Sequence, residues 1–169
     1  MTIKRGAAHV HVDHNTLELV DADPSGHEPR SATRDGLVTY APGTTHIVVG
    51  TQMGSPLVTI EVSTVPPVEV DMDAWDEIVE FSQTTFMGEV VIFDSVVGTR
   101  RDLPSLILEP GSSFRVRCHA RGRDEACRPA VNHSPEDSYL IQMWPAPTAP
   151  EKIHKLTDDF GKRDRASFH

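Results

Sequence analysis

The sequence is short of most features that would commit it to a familiar class. Its 169 residues include two cysteines, Cys118 and Cys127, too few for the disulfide framework of a small secreted domain. Cys118 is expected as a small core residue and Cys127 as a loop residue. Aromatic side chains make up 6% of the chain, and no aromatic sugar platform accompanies the paired acids Asp71 and Asp73 or Glu77 and Glu80. Apolar runs such as Ile47 to Gly50 and Val90 to Phe93 fall far short of the ~20 residues that span a bilayer. The N-terminal segment MTIKRGAAHVHVDH has basic residues but no apolar stretch behind them, so it does not read as a secretory signal, and a cytoplasmic protein is expected. No Gly-x-Ser-x-Gly is present. Cys118 and His119 are neighbours, and neighbours on a strand face opposite ways, which excludes them as a nucleophile–base pair.

Against these gaps stand 25 acidic and 16 basic residues, a formal net charge of -9. The excess is uneven: residues 71 to 110 hold nine acids against two arginines, whereas 111 to 128 hold five arginines against two acids. A negative overall field opposes binding to nucleic acid, which depends on neutralising several phosphates, so no nucleic-acid partner is expected. Thirteen prolines and eleven glycines divide the chain into short segments, as strands joined by turns require.

Ten or so such segments can be marked. Ala8 to Val12 and Thr16 to Val20 flank a turn at Asp13-His14-Asn15; Gly36 to Tyr40 and His46 to Val49 flank Ala41-Pro42-Gly43. Leu57 to Val62 alternates cleanly. Asp21 to Asp35, almost without apolar residues, reads as a long exposed loop. Asp71 to Gln83 is open between two elements. Trp75, Ile78 and Val79 fit a helical face capped by Asp73, while Trp75, Val79 and Phe81 fit a strand. The clearest strands are Phe114 to Asp124 and Ser138 to Pro145. With no long helical pattern, the chain predicts an all-β fold, an antiparallel two-sheet β-sandwich or jelly roll with at most one short helix. One domain over residues 1–157 and a flexible C-terminal tail over 158–169 are expected.

Two groups of residues could carry function. In the stretch FRVRCHARGRD, Phe114, Val116, Cys118 and Ala120 alternate with Arg115, Arg117, His119 and Arg121, and Arg123 follows in phase. A period of two sends one row into the core and the other into solvent, spacing the arginines about 6.5 to 7 Å apart. Either acids of adjacent strands (Glu77, Glu80 or Glu89) pair with the row and Trp144 stacks on an arginine, or Arg115, Arg117, His119, Arg121 and Arg123 with Trp144 form a patch for an acidic protein surface. The second group is histidine, nine residues in all. His9 and His11 share a strand face, and imidazole is the commonest transition-metal ligand.

Gly6, His9, His11 and Glu18, followed by Gly36, Pro42, Gly43 and His46, loosely resemble the two cupin motifs. That resemblance implies a small barrel enzyme holding one divalent transition metal on His9, His11 and His46. A different likeness runs from Val10 to Gly161. Trp75-Asp-Glu-Ile-Val-Glu80-Phe-Ser82, Leu103-Pro104, Gly111, Phe114-Arg-Val116, Arg121-Gly-Arg-Asp124 and Tyr139-Leu-Ile141 through Trp144-Pro145 resemble a group of small actinobacterial proteins with no assigned activity. The order of a short strand pair, a glycine-rich segment (Gly50-Thr-Gln-Met-Gly54) and a terminal sheet is also similar to the competence-associated nuclease inhibitors. Together these favour a non-catalytic, protein-binding β-sandwich without cofactor or membrane contact, of inhibitor or immunity type, over the metal-dependent alternative.

Overall fold

The computed structural model describes residues 2–21, 33–128 and 137–168 and forms an all-β sandwich of two sheets with two short helices, one more than expected. Most of the Asp21 to Asp35 segment, residues 22–32, lies outside the described residues. The first sheet has six strands: β1 (Ile3–His9), β5 (Leu57–Ser63), β11 (Ser138–Pro145), β10 (Ser113–Arg121), β6 (Glu77–Thr84) and β12 (Lys152–Leu156), in that spatial order. All neighbours are antiparallel except β5 and β11, which run parallel. The second sheet orders β3 (Val38–Ala41), β4 (Thr44–Val48), β2 (Thr16–Asp21), β7 (Glu89–Asp94) and β8 (Gly98–Thr99), and β9 (Leu106–Ile107) also pairs with β7. Among the described residues no helix is long and apolar enough to cross a membrane.

Alternation builds the core. Val58 and Ile60 of β5, Val79 and Phe81 of β6, Phe114, Val116, Cys118 and Ala120 of β10, and Tyr139, Ile141 and Met143 of β11 turn inward, where they meet Leu17 and Leu19 of β2, Ile47 of β4 and Val90 and Ile92 of β7. Full burial of each large apolar side chain is worth about 1.5–3 kcal/mol. Cys118 is in this core as expected, and burial pushes its thiol well above the ordinary range.

Local chemistry sets the connections. The turn expected at Asp13-His14-Asn15 has positive φ at both His14 (51°) and Asn15 (58°), closed by a hydrogen bond from Thr16 N to Asp13 O; this is the type I′ geometry that suits the twist of paired strands. The strand before it ends earlier than expected, at His9, and Val12 makes only an isolated bridge to Gly54. In Asp71 to Gln83 the strand alternative holds from Glu77 onward. The preceding residues turn on Asp71, whose carboxylate accepts from the amides of Asp73 and Ala74.

Two helices complete the chain: α1 (Arg123–Ala126) and α2 (Asp159–Ala166). The latter occupies the segment expected as a flexible tail, and it is tied down by its N-cap: the Asp158 carboxylate accepts from Gly161 N at 2.8 Å and also holds Arg123. Asp124, just after Arg123, accepts from the amides of Asp159 and Phe160, so α1 and α2 are joined end to end.

Candidate interaction surface

β10 was the element on which sequence reasoning placed a solvent-facing basic row, and here the structure differs. Arg115, Arg117, His119 and Arg123 are 5%, 6%, 2% and 0% exposed; of the row only Arg121 faces solvent. Trp144 is buried as well. The cause is a cover laid over the outer face of the first sheet. Residues 64–76 cross it, placing the Glu69 carbonyl within 3.4 Å of Arg117 Nη1 and the Trp75 ring 5.4 Å from that of His119. Residues 146–151 close the other side, with the Ala149 and Pro150 carbonyls accepting from Arg115 Nη1 at 2.8 and 3.1 Å.

Beneath this cover the registers generate one polar line across the whole sheet. Arg5 of β1 stands opposite Glu61 of β5, Glu61 opposite Gln142 of β11, Gln142 opposite Arg117 of β10, and Arg117 opposite Glu80 of β6. Arg5 pairs with Glu61, and Gln142 Nε2 donates to Glu61 Oε2 at 2.7 Å. Arg117 Nη1 reaches Gln142 Oε1 at 3.5 Å, its Nε donates to Glu80 Oε2 at 3.0 Å, and His154 of β12 meets that same oxygen at 3.1 Å. Arg115 adds two bonds to Glu80 Oε1, and Arg117 lies over the indole of Trp144, the register partner of Arg115, at 5.3 Å. Burial by itself raises the Glu80 carboxyl, but hydrogen bonds from His154, Arg117 and Arg115 outweigh it and the net shift is downward. The two buried guanidiniums are thus met by one largely covered carboxylate, which satisfies the requirement that buried charge be paired.

The remaining members of the row are equally committed. His119 Nδ1 donates to the Leu140 carbonyl at 2.9 Å, and burial lowers its pKa to about 4, so it is neutral. Arg121 donates to Ser138 Oγ and lies 4.8 Å over the Trp75 ring. Arg123 is the anchor of the helical end: a bidentate fork on Asp158 at 2.6 and 2.8 Å, with Nη1 donating to the Gly36 and Val48 carbonyls. Glu77, fully buried, accepts from the amides of Thr157 and Asp158 on Oε1, while Oε2 makes only ion-pair contacts, 3.5 Å to Arg123 and 3.6 Å to Arg165. Burial and the neighbouring Asp158 charge push its pKa up to about 8. The glycines at this junction are required by contact: a Cβ on Gly50 would sit 2.7 Å from the Arg123 backbone.

His9, His11 and His46 do not assemble. His9 Nδ1 contacts the Ser55 carbonyl at 2.9 Å and His11 Nδ1 the Ser55 hydroxyl at 3.2 Å, whereas His46, in the other sheet, stands opposite Glu18 at 4.0 Å. Among the described residues no three His, Cys, Asp or Glu side chains form a group able to hold a metal ion. The crevice lined by Leu19, Asp21, Thr45, Gln83, Val90 and Phe114 has room for about one water molecule, far from the ~300 Å³ of a small-molecule site.

Sequence reasoning missed one residue of this surface. Arg5 is the exposed terminus of the polar line, its side chain 62% accessible, on a strand at the sheet's edge. The signal was the unbalanced Lys4-Arg5 pair in an otherwise acidic N-terminal half.

No protein-family model and no curated protein matches the sequence. Solved structures do. ComJ from Bacillus subtilis, described as an inhibitor of the DNA-degrading activity of NucA, is 12% identical; the likeness covers 86% of this chain and 100% of that one, with a TM-score of 0.55. The product described as crocagin biosynthetic gene J is 15% identical over 86% of this chain and 99% of that one, with a TM-score of 0.53. At these identities the likeness is one of fold, and the all-β sandwich described above is what this chain shares with both.

Proposed function

We propose that the protein is a non-catalytic binding module of inhibitor or immunity type whose target is another protein. The observation that carries this reading is the fold likeness to ComJ, a protein described as inhibiting a nuclease, across that protein's whole length. The internal chemistry supports it. The perturbed acids and bases of the first sheet, the buried Glu77 and His119 and the largely covered Glu80, are engaged with neighbouring strands and backbone rather than gathered around an opening.

The metal-dependent alternative draws no support from the histidines, since two of them share Ser55 and the third faces Glu18. Affinity capture from the native host, read by mass spectrometry, tests the reading. One protein retained in stoichiometric amount, whose own activity falls on binding, is the expected result. Retention of nothing beyond what an unrelated chain of equal charge retains would overturn it.

A further inference from the structure

We propose that the open edge of β1 is the docking site, and that it takes an extended, acidic strand of the partner as a seventh strand of the first sheet. This rests on the protein-binding reading above and adds its location and chemistry. β1 is terminal in its sheet. Val10 N bonds inward to the Pro56 carbonyl, and the His9 carbonyl bonds outward to Arg100 Nη1 at 2.7 Å.

Backbone groups alternate along a strand, so the N–H and C=O of Ile3, Arg5 and Ala7 also point outward. Among the described residues nothing bonds to them. An unpaired row of this kind is a template for strand addition. The Arg100 contact closes the row at His9 and so sets its end.

Charge selects the occupant. β1 carries Lys4 and Arg5 and no acid, within a chain of net charge -9, so a second copy brings its own like-charged edge and a basic strand is repelled. The cross-sheet line ends with the acid Glu61 facing the cation Arg5, and the residue directly across an added pair lies about 4.5–5.5 Å away at Cβ. A carboxylate there continues the line. Main-chain bonds then supply affinity and the facing charge supplies register.

The probe is a seven-residue peptide alternating valine and glutamate, with its valine–lysine counterpart as control, titrated into isotope-labelled full-length protein. The glutamate peptide is expected to shift and protect the amides of Ile3, Arg5 and Ala7 and to bind at least tenfold more tightly than the lysine peptide. Arg5→Glu is expected to invert that preference. Ala7→Pro removes an outward donor at a place where an edge strand tolerates proline, and is expected to abolish binding while the β1–β5 amides keep their protection. Equal binding of both peptides, shifts elsewhere than β1, or no shift would overturn the proposal, as would self-association of Arg5→Ala, which marks the cations as guards against aggregation. If host capture finds a partner that Ala7→Pro still binds, the edge proposal fails and the protein-binding reading stands; if no partner is found, the reading itself fails.

Discussion

Glu80 is the residue on which the first sheet's polar line turns, because its carboxylate meets two buried arginines and a histidine. Glu80→Gln leaves Arg115 and Arg117 buried without a countercharge. Breaking a buried pair this way costs about 3–5 kcal/mol, and urea denaturation at pH 7 is expected to register a loss of that order. Arg121→Ala, on the exposed end of the same strand, is expected to cost about 1 kcal/mol or less. Two buried groups give opposite pH slopes. His119 has a folded pKa of about 4 against an ordinary 6.5, so its neutral form contributes stability that is full above pH 6.5 and lost as pH falls toward 4. Glu77 has a folded pKa of about 8 against an ordinary 4.5, so its contribution is full below pH 4.5 and lost as pH rises toward 8. From pH 4.5 to 6.5 the two slopes oppose each other, so denaturation between pH 4 and 9 is expected to show a plateau there and a fall from pH 6.5 toward 8. His119→Asn should turn the plateau into a fall, and Glu77→Gln should turn it into a rise and remove the fall above pH 6.5.

At the scale of elements, the strands were legible and their outer surroundings were not. Phe114, Val116, Cys118 and Ala120 announced an inward row through a period of two, and every one of them is in the core. The same period implied that Arg115 and Arg117 face solvent, because alternation reports which side a residue takes and not what lies over that side. The cover comes from residues 64–76 and 146–151, distant in sequence and irregular in structure. The choice of arginine and the acids at Glu77 and Glu80 were the available hints. Helix α2 was missed for a related reason: its cap, Asp158, gains its meaning from Arg123, 35 positions away. Deleting residues 158–169 therefore strips Arg123 and Glu77 of their partners. That truncation is expected to lower the melting temperature by about 10 °C or more, or to prevent folding, on the scale of about 2–4 °C per kcal/mol for a domain of this size; an unchanged melting curve would return the segment to the status of a tail. Gly50→Ala, which presses a methyl on the Arg123 backbone, should cost about 1–3 kcal/mol.

For the whole molecule, the distribution of charge decides what a partner meets. The basic cluster that stood out in the sequence is spent inside, on Glu80, Asp158 and backbone carbonyls. Acids are buried as well, Asp21, Asp35, Glu77, Asp94, Asp137 and Asp158 among them, and β1 keeps a small basic edge at Lys4 and Arg5. A partner carrying an acidic strand meets Lys4 and Arg5 along β1; β12, the other terminal strand of that sheet, also carries two lysines and no acid, so a substitution confined to β1, such as Ala7→Pro, is what separates the two edges. Raising salt from 50 to 500 mM is accordingly expected to weaken the complex chiefly through its association rate, as read by stopped-flow or surface binding. The most direct test compares how much partner is retained from the native host by the unaltered protein, by Ala7→Pro and by Arg121→Glu, each first shown to be folded. The account predicts that Ala7→Pro loses the partner and Arg121→Glu keeps it. Retention by Ala7→Pro with loss in Arg121→Glu would contradict it, and would return the binding surface to the exposed end of β10.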